Sequence, residues 1–315
     1  MKESKSQLIE AIQKGNTRAL SKAITLAEST LPEQRNLALE IIEHFGPQPN
    51  SFRIGITGTP GAGKSTFIEA AGLELLKDEK LKLAVLSIDP SSSISGGSIL
   101  GDKTRMSNLS THNRSYIRPT ASGHQMGGLA KNTRLAMLLC EAAGYTHIMI
   151  ESVGVGQGET EIKQLADFFV LLLNPGGGDE LQGIKRGIME VADLLVINKA
   201  DGDYERQANL TAKEYSMALH LRPAAENGWN PKVITASALK AIGIDAFWTR
   251  ATEFNAQMQS NGAKPAYRLQ QQKYWAKKSI HDLLLAKLAD YETEIVAELA
   301  KGALPERVAE KIINP

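Results

Sequence analysis

Gly58, Gly63, Lys64 and Ser65 stand at the spacing G-x-x-x-x-G-K-S within the stretch "GITGTPGAGKST". The apolar run "RIGIT" precedes them and a helical pattern follows, the setting in which such a loop cradles phosphate groups. Glycines let the backbone close on the phosphates and turn its N–H groups inward, and the helix N-terminus adds positive potential. Lys64 is suited to the outer phosphates as a point charge, and the Ser65 hydroxyl to Mg²⁺. Gly58, Thr59, Pro60, Gly61, Ala62, Gly63, Lys64, Ser65 and Thr66 are therefore expected around the phosphates. ATPases of the partitioning type place a second lysine just after the first glycine of this loop. Thr59 stands there, which argues against that class.

Asn198, Lys199 and Asp201 form N-K-x-D at the end of the run "LLVI". A carboxylate only accepts hydrogen bonds, and guanine offers paired donors, N1–H and N2–H₂, on one edge. Adenine has no such pair and would leave the Asp201 carboxylate unmatched. The Lys199 methylenes can lie over the base, and Asn198 can tie the two nucleotide loops together. "ITASAL" ends the next run, so Ser237, Ala238 and Leu239 form a turn whose backbone N–H, at about Ala238, is expected on guanine O6. GTP is the expected nucleotide.

The run "HIMIE" ends in Glu151, and Gly154 follows in E-x-x-G. That carboxylate is placed for the Mg²⁺ sphere and that glycine for the γ-phosphate. Small GTPases carry a glutamine after this glycine to orient the attacking water. Val155 occupies that place and Gln157 is out of register, so slow intrinsic hydrolysis is expected, accelerated by a partner or a conformational change. Two further acids read either as Mg²⁺ groups or as caps. Asp89 ends "LAVLSID" at the ligand-binding edge of the sheet, and Asp102 lies in "SGGSILGDKTRM". "NPGGGDELQGIKRG" has three glycines in succession and reads as a rearranging loop or a passive connector. Its Lys185 reads as a solvated helix lysine or a switch contact.

Around these groups, short apolar runs alternate with helical stretches: "RIGIT", "LAVLSI", "HIMIE", "FFVLLL", "LLVIN" and "KVITAS". This pattern predicts parallel strands in βαβ units. The expected organisation is a helical segment over 1–47, an α/β domain over 48–262 and a helical arm over 263–315. Helical periodicity within the arm runs from Leu269 to about Leu299 and again from Pro305 to Ile313. A chain of 315 residues, 42% hydrophobic and 23% charged, is long enough for one large core with extensions. A net charge of +1 supplies no general attraction to nucleic acid or anionic membrane. No apolar run reaches the length of a membrane span, and the N-terminus has neither signal nor transit character, so a cytoplasmic location is expected. A chain trimmed of a transit peptide would read the same. The single cysteine, Cys140, reads as a small buried hydrophobe, and the six histidines form no spaced zinc pair.

With these residues in view, the sequence resembles the MeaB/ArgK-type GTPases of the G3E group, a group named for the glutamate seen here as Glu151. The resemblance rests on "GTPGAGKST", "AVLSIDPSSSISGGSILGDKTRM", "YIRPTASGHQMGGLA", "IESVGVGQGE", "NPGGGDELQGIKRGI" and "VINKAD", and covers nearly the whole chain. It implies a three-layer P-loop fold with an N-terminal helical cap and a C-terminal dimerisation arm. It also implies a GTP-dependent chaperone that gates adenosylcobalamin loading and protects an acyl-CoA mutase, usually methylmalonyl-CoA mutase. By the same resemblance, Ser65, Asp89, Asp102 and Glu151 surround Mg²⁺. Lys64, Asp102, Glu151 and Gly154 make the hydrolysing centre, and 174–185, with Asp179 and Lys185, is a switch. Related nickel-insertion GTPases carry His-rich tracts or clustered cysteines, which this chain lacks, so a metallochaperone is the second reading. A kinase linked to arginine and ornithine transport is the third.

Overall fold

The computed structural model describes residues 4–89, 106–121, 128–152, 159–176, 186–220 and 227–313. Three helices come first: α1 (Lys5–Gln13), α2 (Thr17–Glu28) and α3 (Pro32–Phe45). Ser4 and Gln7 cap α1 reciprocally, and the Asn16 side chain accepts from the Arg18 and Ala19 amides to start α2. The sheet and its helices follow as β1 (Phe52–Gly58), α4 (Lys64–Leu75), β2 (Leu83–Asp89), α5 (Ser107–Thr111), β3 (Ser115–Ala121), α6 (Gly128–Ala142) and β4 (His147–Glu151). Next are α7 (Glu159–Lys163), β5 (Phe168–Leu173), α8 (Arg186–Val191), β6 (Leu194–Ile197), α9 (Glu205–His220), β7 (Lys232–Thr235) and α10 (Ile244–Ser260). The chain ends in α11 (Ala263–Ala289), α12 (Glu292–Ala300) and α13 (Pro305–Ile313).

The strands form one seven-stranded sheet in the order β3-β2-β4-β1-β5-β6-β7, and every pairing is parallel. This is the parallel α/β sheet expected from the alternating runs, in the P-loop NTPase-like form that the resemblance implies. β5 ("FFVLLL") and β6 ("LLVI") are buried along their whole length, as strands covered on both faces must be. β3 was not among the expected strands. Pro119 interrupts its pattern, and β3 lies at the sheet edge, where a missing N–H is tolerated. Helix α2 covers this region: the Ser21 and Tyr116 hydroxyls are 2.9 Å apart, and Arg118 donates to Glu28 at 2.6 Å.

At the end of the sheet where the strands begin, charges are paired internally. Arg53 grips Glu141 with two hydrogen bonds of 2.6 and 2.8 Å, and Ser51 donates to the same carboxylate. Lys264 donates to the Ser51 carbonyl and to Asn255 Oδ1, each at 2.9 Å. His147, packed edge-on against Phe52 and Trp248, is pushed down to about 4 by burial and by the Lys264 ammonium.

The chain divides into two compact units, Met1–Pro265 and Ala266–Pro315. In the second, α11 and α12 are separate helices, where the sequence pattern predicted one continuous stretch. Asp290 and Tyr291 separate them, their amides bonding back to Lys287 and Leu288. α13 packs against α12, burying Val308. Ile280, Leu283, Leu284 and Leu288 on α11 are 44–64% exposed.

Candidate functional site

The loop from Gly58 to Ser65 joins the end of β1 to the start of α4, in the middle of the sheet. Gly58 is held so close to β5 that a Cβ there would lie 2.3 Å from the Leu172 carbonyl oxygen. Gly61 and Gly63 have φ of +76° and +84°, backbone that side chains resist, and Gly63 caps α4. The Lys64 Nζ donates to the Gly58 carbonyl at 3.0 Å and to the Thr59 carbonyl at 3.4 Å. Burial pushes its ammonium below the ordinary lysine range, and the Glu151 charge opposes that shift. Pro60, Gly61 and Thr66 are exposed, while Thr59 and Ala62 are buried.

On the β4 side, Ser65 Oγ donates to Glu151 Oε1 at 2.9 Å. Glu151 is 8% exposed and ends β4, in register with Ile56 of β1 on one side and Ser87 of β2 on the other. Two adjacent oxygens of an octahedral ion with bonds of ~2.0–2.1 Å lie about 2.9 Å apart. The serine hydroxyl and the carboxylate oxygen therefore stand at the separation that Mg²⁺ demands, and they are the hard oxygen donors it prefers. Asp89 is the last residue of β2, whose Ser87 is in register with Glu151, so its backbone reaches the same edge of the sheet. The Asp89 side chain, Asp102, Gly154, Asp179 and Lys185 lie outside the described residues.

On the β6 side, Asn198 is 2% exposed and joins two loops. Its Nδ2 donates to the Ala62 carbonyl at 2.7 Å, and its Oδ1 accepts from the Ala238 amide at 3.0 Å. The linking role read from the sequence is thus present as geometry. One detail differs. The Ala238 amide, expected for guanine O6, is bonded to Asn198, because a buried amide needs a partner within the protein. It can serve a base only as a shared, three-centre donor. Lys199 is exposed with φ +59°, Asp201 is half-buried, and the Ala200 amide bonds to the Ala236 carbonyl at 2.9 Å. Ser237 is fully buried and pairs through backbone bonds with Ile242, which turns Leu239 outward at 77% exposure.

The structure also gives contacts to Ser152 and Asn174, to which the motif reading assigned no individual role. Ser152 Oγ donates to Thr57 Oγ1 at 2.8 Å, and both side chains are buried. Asn174, just beyond β5, places its Nδ2 3.4 Å from Thr59 Oγ1. A hydroxyl or amide at the end of an otherwise apolar strand is the signal that marks such residues. Among the described residues no three His, Cys, Asp or Glu side chains gather to hold a metal ion, and no helix is long and apolar enough to cross a membrane.

The chain is similar to known proteins over most of its length. A sequence model of the family described as methylmalonyl-CoA mutase-associated GTPase MeaB matches residues 20–293. GTPase ArgK of Escherichia coli (strain K12) is 44% identical over 284 residues, covering 90% of this chain and 86% of that protein. The mitochondrial methylmalonic aciduria type A homolog of Mus musculus is 46% identical over 280 residues, covering 85% of this chain and 67% of its own. Among solved structures, one titled LAO/AO transport system kinase superposes with a TM-score of 0.79 at 34% identity, covering 100% of this chain and 99% of the other.

Proposed function

The chain belongs to the MeaB family of methylmalonyl-CoA mutase-associated GTPases, and from that premise we propose that it is a GTP-driven chaperone of an adenosylcobalamin-dependent acyl-CoA mutase, methylmalonyl-CoA mutase in the first instance. It gates loading of the cobalamin cofactor and protects the mutase from inactivation. The reaction is hydrolysis of GTP to GDP and phosphate. The observation that carries the reading of a nucleotide site is Asn198, whose one amide holds the phosphate loop and the base loop in a fixed relation. The client is supported by the family's description and by the mouse relative, named for methylmalonic aciduria.

In this reading, Gly58 to Thr66 wrap the phosphates, with backbone amides and Lys64 countering their charge. Asn198, Lys199, Asp201, Ser237, Ala238 and Leu239 hold the guanine, Asp201 by accepting from N1–H and N2–H₂. Ser65, Asp89, Asp102 and Glu151 would hold Mg²⁺, which would supply charge neutralisation to the phosphates when bound. Gly154 meets the γ-phosphate. Asp179 and Lys185, in 174–185, respond to the nucleotide and report to the client. Catalysis is then mainly positioning and charge stabilisation, consistent with Val155 in the place of a water-orienting glutamine.

The second compact unit fits a dimerisation arm. Ile280, Leu283, Leu284 and Leu288 recur at helical spacing on α11 and are exposed, an apolar stripe of the kind a second copy covers. On this reading the working assembly is a homodimer, and its expected location is the cytoplasm. The test is GTP turnover with and without a purified adenosylcobalamin-dependent methylmalonyl-CoA mutase from the same source. Slow basal turnover that rises at least about tenfold with the mutase supports the reading. No stimulation together with no complex refutes the client.

A further inference from the structure

Thr57 and Ser152 lie behind Glu151, on the face of the sheet opposite Ser65. β1 and β4 are in register at Ile56↔Glu151, and the Ser152 amide adds one more bond, to the Ile56 carbonyl at 3.0 Å. Side chains alternate along a strand. Glu151 therefore projects to the side of Ser65, while Ser152 projects to the opposite face. There it donates to Thr57 Oγ1 at 2.8 Å, with Thr57 at 0% and Ser152 at 3% exposure. Thr57 is followed at once by Gly58 of the phosphate loop.

A buried hydroxyl at the end of a parallel strand is costly unless it is bonded. Valine has nearly the shape of threonine and suits the strand at least as well. The hydroxyls at 57 and 152 thus contribute something that shape and strand propensity do not ask for. Together they fasten the last residue of β4 and the next one to the root of the phosphate loop, on the face away from the metal. The direction in which Glu151 leaves the strand is fixed from behind. Its carboxylate is the group that must stay about 2.9 Å from Ser65 Oγ for both oxygens to reach one ion.

We propose that Thr57 and Ser152 are positioning residues for the divalent-cation site, setting Glu151 against Ser65 through their shared hydrogen bond. The inference rests on Glu151 being a metal ligand, and the experiment separates the two claims. The probe is Mn²⁺ in place of Mg²⁺, titrated into the full-length, GDP-bound protein and followed by electron paramagnetic resonance. A parallel titration of GDP in EDTA reports the nucleotide site without the metal. Thr57→Val and Ser152→Ala each weaken Mn²⁺ by about three- to tenfold, the value of one buried hydrogen bond. GDP affinity in EDTA stays within about twofold. Thr57→Ser, which restores the hydroxyl, returns Mn²⁺ affinity to within about twofold of the parent. The double variant is no worse than the worse single one, because one bond is lost in all three. The Mg²⁺ concentration for half-maximal GTP hydrolysis shifts in the same order.

Glu151→Gln is the control for the premise. If it leaves Mn²⁺ affinity unchanged, the metal assignment falls and the inference falls with it. If it abolishes binding while Thr57→Val and Ser152→Ala bind normally, the premise stands and the inference is overturned. A loss in Thr57→Val that Thr57→Ser does not restore also overturns it, since it would reflect packing rather than the hydroxyl. Should Thr57→Val fail to fold, Ser152→Ala, which removes a single oxygen, carries the same decision.

Discussion

Replacing Asn198 by alanine removes two buried hydrogen bonds at once, those of 2.7 Å to the Ala62 carbonyl and 3.0 Å from the Ala238 amide. Each such bond is worth about 0.5–1.5 kcal/mol net, and each abandoned buried group costs ~1–3 kcal/mol unless water reaches it. Asn198 is 2% exposed, but the loops on either side border the open edge of the sheet, so partial rehydration is expected. Between these limits the loss is about 3 kcal/mol. It divides between the stability of the protein and the affinity for nucleotide, because the two loops must be rejoined when GDP binds. Assigning about two-thirds to binding gives ~2 kcal/mol, roughly a thirtyfold weaker dissociation constant. Titration of a fluorescent GDP analogue measures that part, and thermal unfolding without nucleotide measures the remainder. Asn198→Asp sharpens the test. It keeps the acceptor for Ala238 but sets a carboxylate oxygen against the Ala62 carbonyl and the phosphates. It should therefore bind GDP more weakly than Asn198→Ala and unfold at least as easily, because a buried carboxylate facing a carbonyl oxygen is itself costly. If both variants bind GDP within about threefold of the parent, Asn198 does not couple the loops and the reasoning is wrong.

Three other outcomes are expected. Asp201→Asn lowers GTP affinity and shifts preference towards xanthine nucleotides, whose base offers an acceptor in place of the guanine amino group; competition binding with GDP and XDP reads this, and unchanged guanine selectivity would sink the base assignment. His147 has a folded pKa of about 4, below the unfolded value of 6.5, so between these limits the unfolded chain holds more protons and stability falls as pH drops from 6.5 towards 4. The full effect is up to about 3 kcal/mol, and chemical denaturation of parent and His147→Phe across that range should show a shallower acid dependence in the variant. Glu141→Ala strands the Arg53 guanidinium, 11% exposed as a side chain, and should lower unfolding free energy by ~3–5 kcal/mol with GDP affinity little changed in the folded fraction.

The parts of this molecule legible in the sequence are those in which local chemistry and tertiary role coincide. The run "FFVLLL" is apolar because β5 is covered on both faces, and Gly58, Gly61 and Gly63 are glycines because of a backbone contact and two positive φ angles. Asn198 was readable as a link because a side-chain amide can donate from one end and accept at the other. β3 was not readable, because "SYIRPTA" alternates poorly and carries a proline that only an edge position excuses. The break at Asp290 carries no glycine or proline to announce it. Thr57 and Ser152 were silent for a different reason. Their significance is a contact across 95 positions of chain, and nothing local distinguishes a threonine that anchors a neighbour from one that merely favours a strand.

The strand order carries a consequence for how the protein is made. β1 and the phosphate loop are synthesised early, yet β1 sits between β4 and β5, and the base loop at Ser237–Leu239 follows β7, the last strand of the sheet. At about 5–20 residues per second, roughly ten to thirty seconds separate the emergence of Ser65 from that of Leu239. During that interval β1 waits for both its neighbours, and the nascent chain can offer a nucleotide phosphate contacts at most. With the guanine contacts proposed above, the base is recognised only when the sheet is complete. If the proposed site is right, GTP and GDP bind the finished domain more tightly than any earlier stage of it, and by mass action they would draw the chain through its last folding step. The cellular guanine nucleotide pool is, in this sense, a folding ligand for the protein before it becomes its substrate.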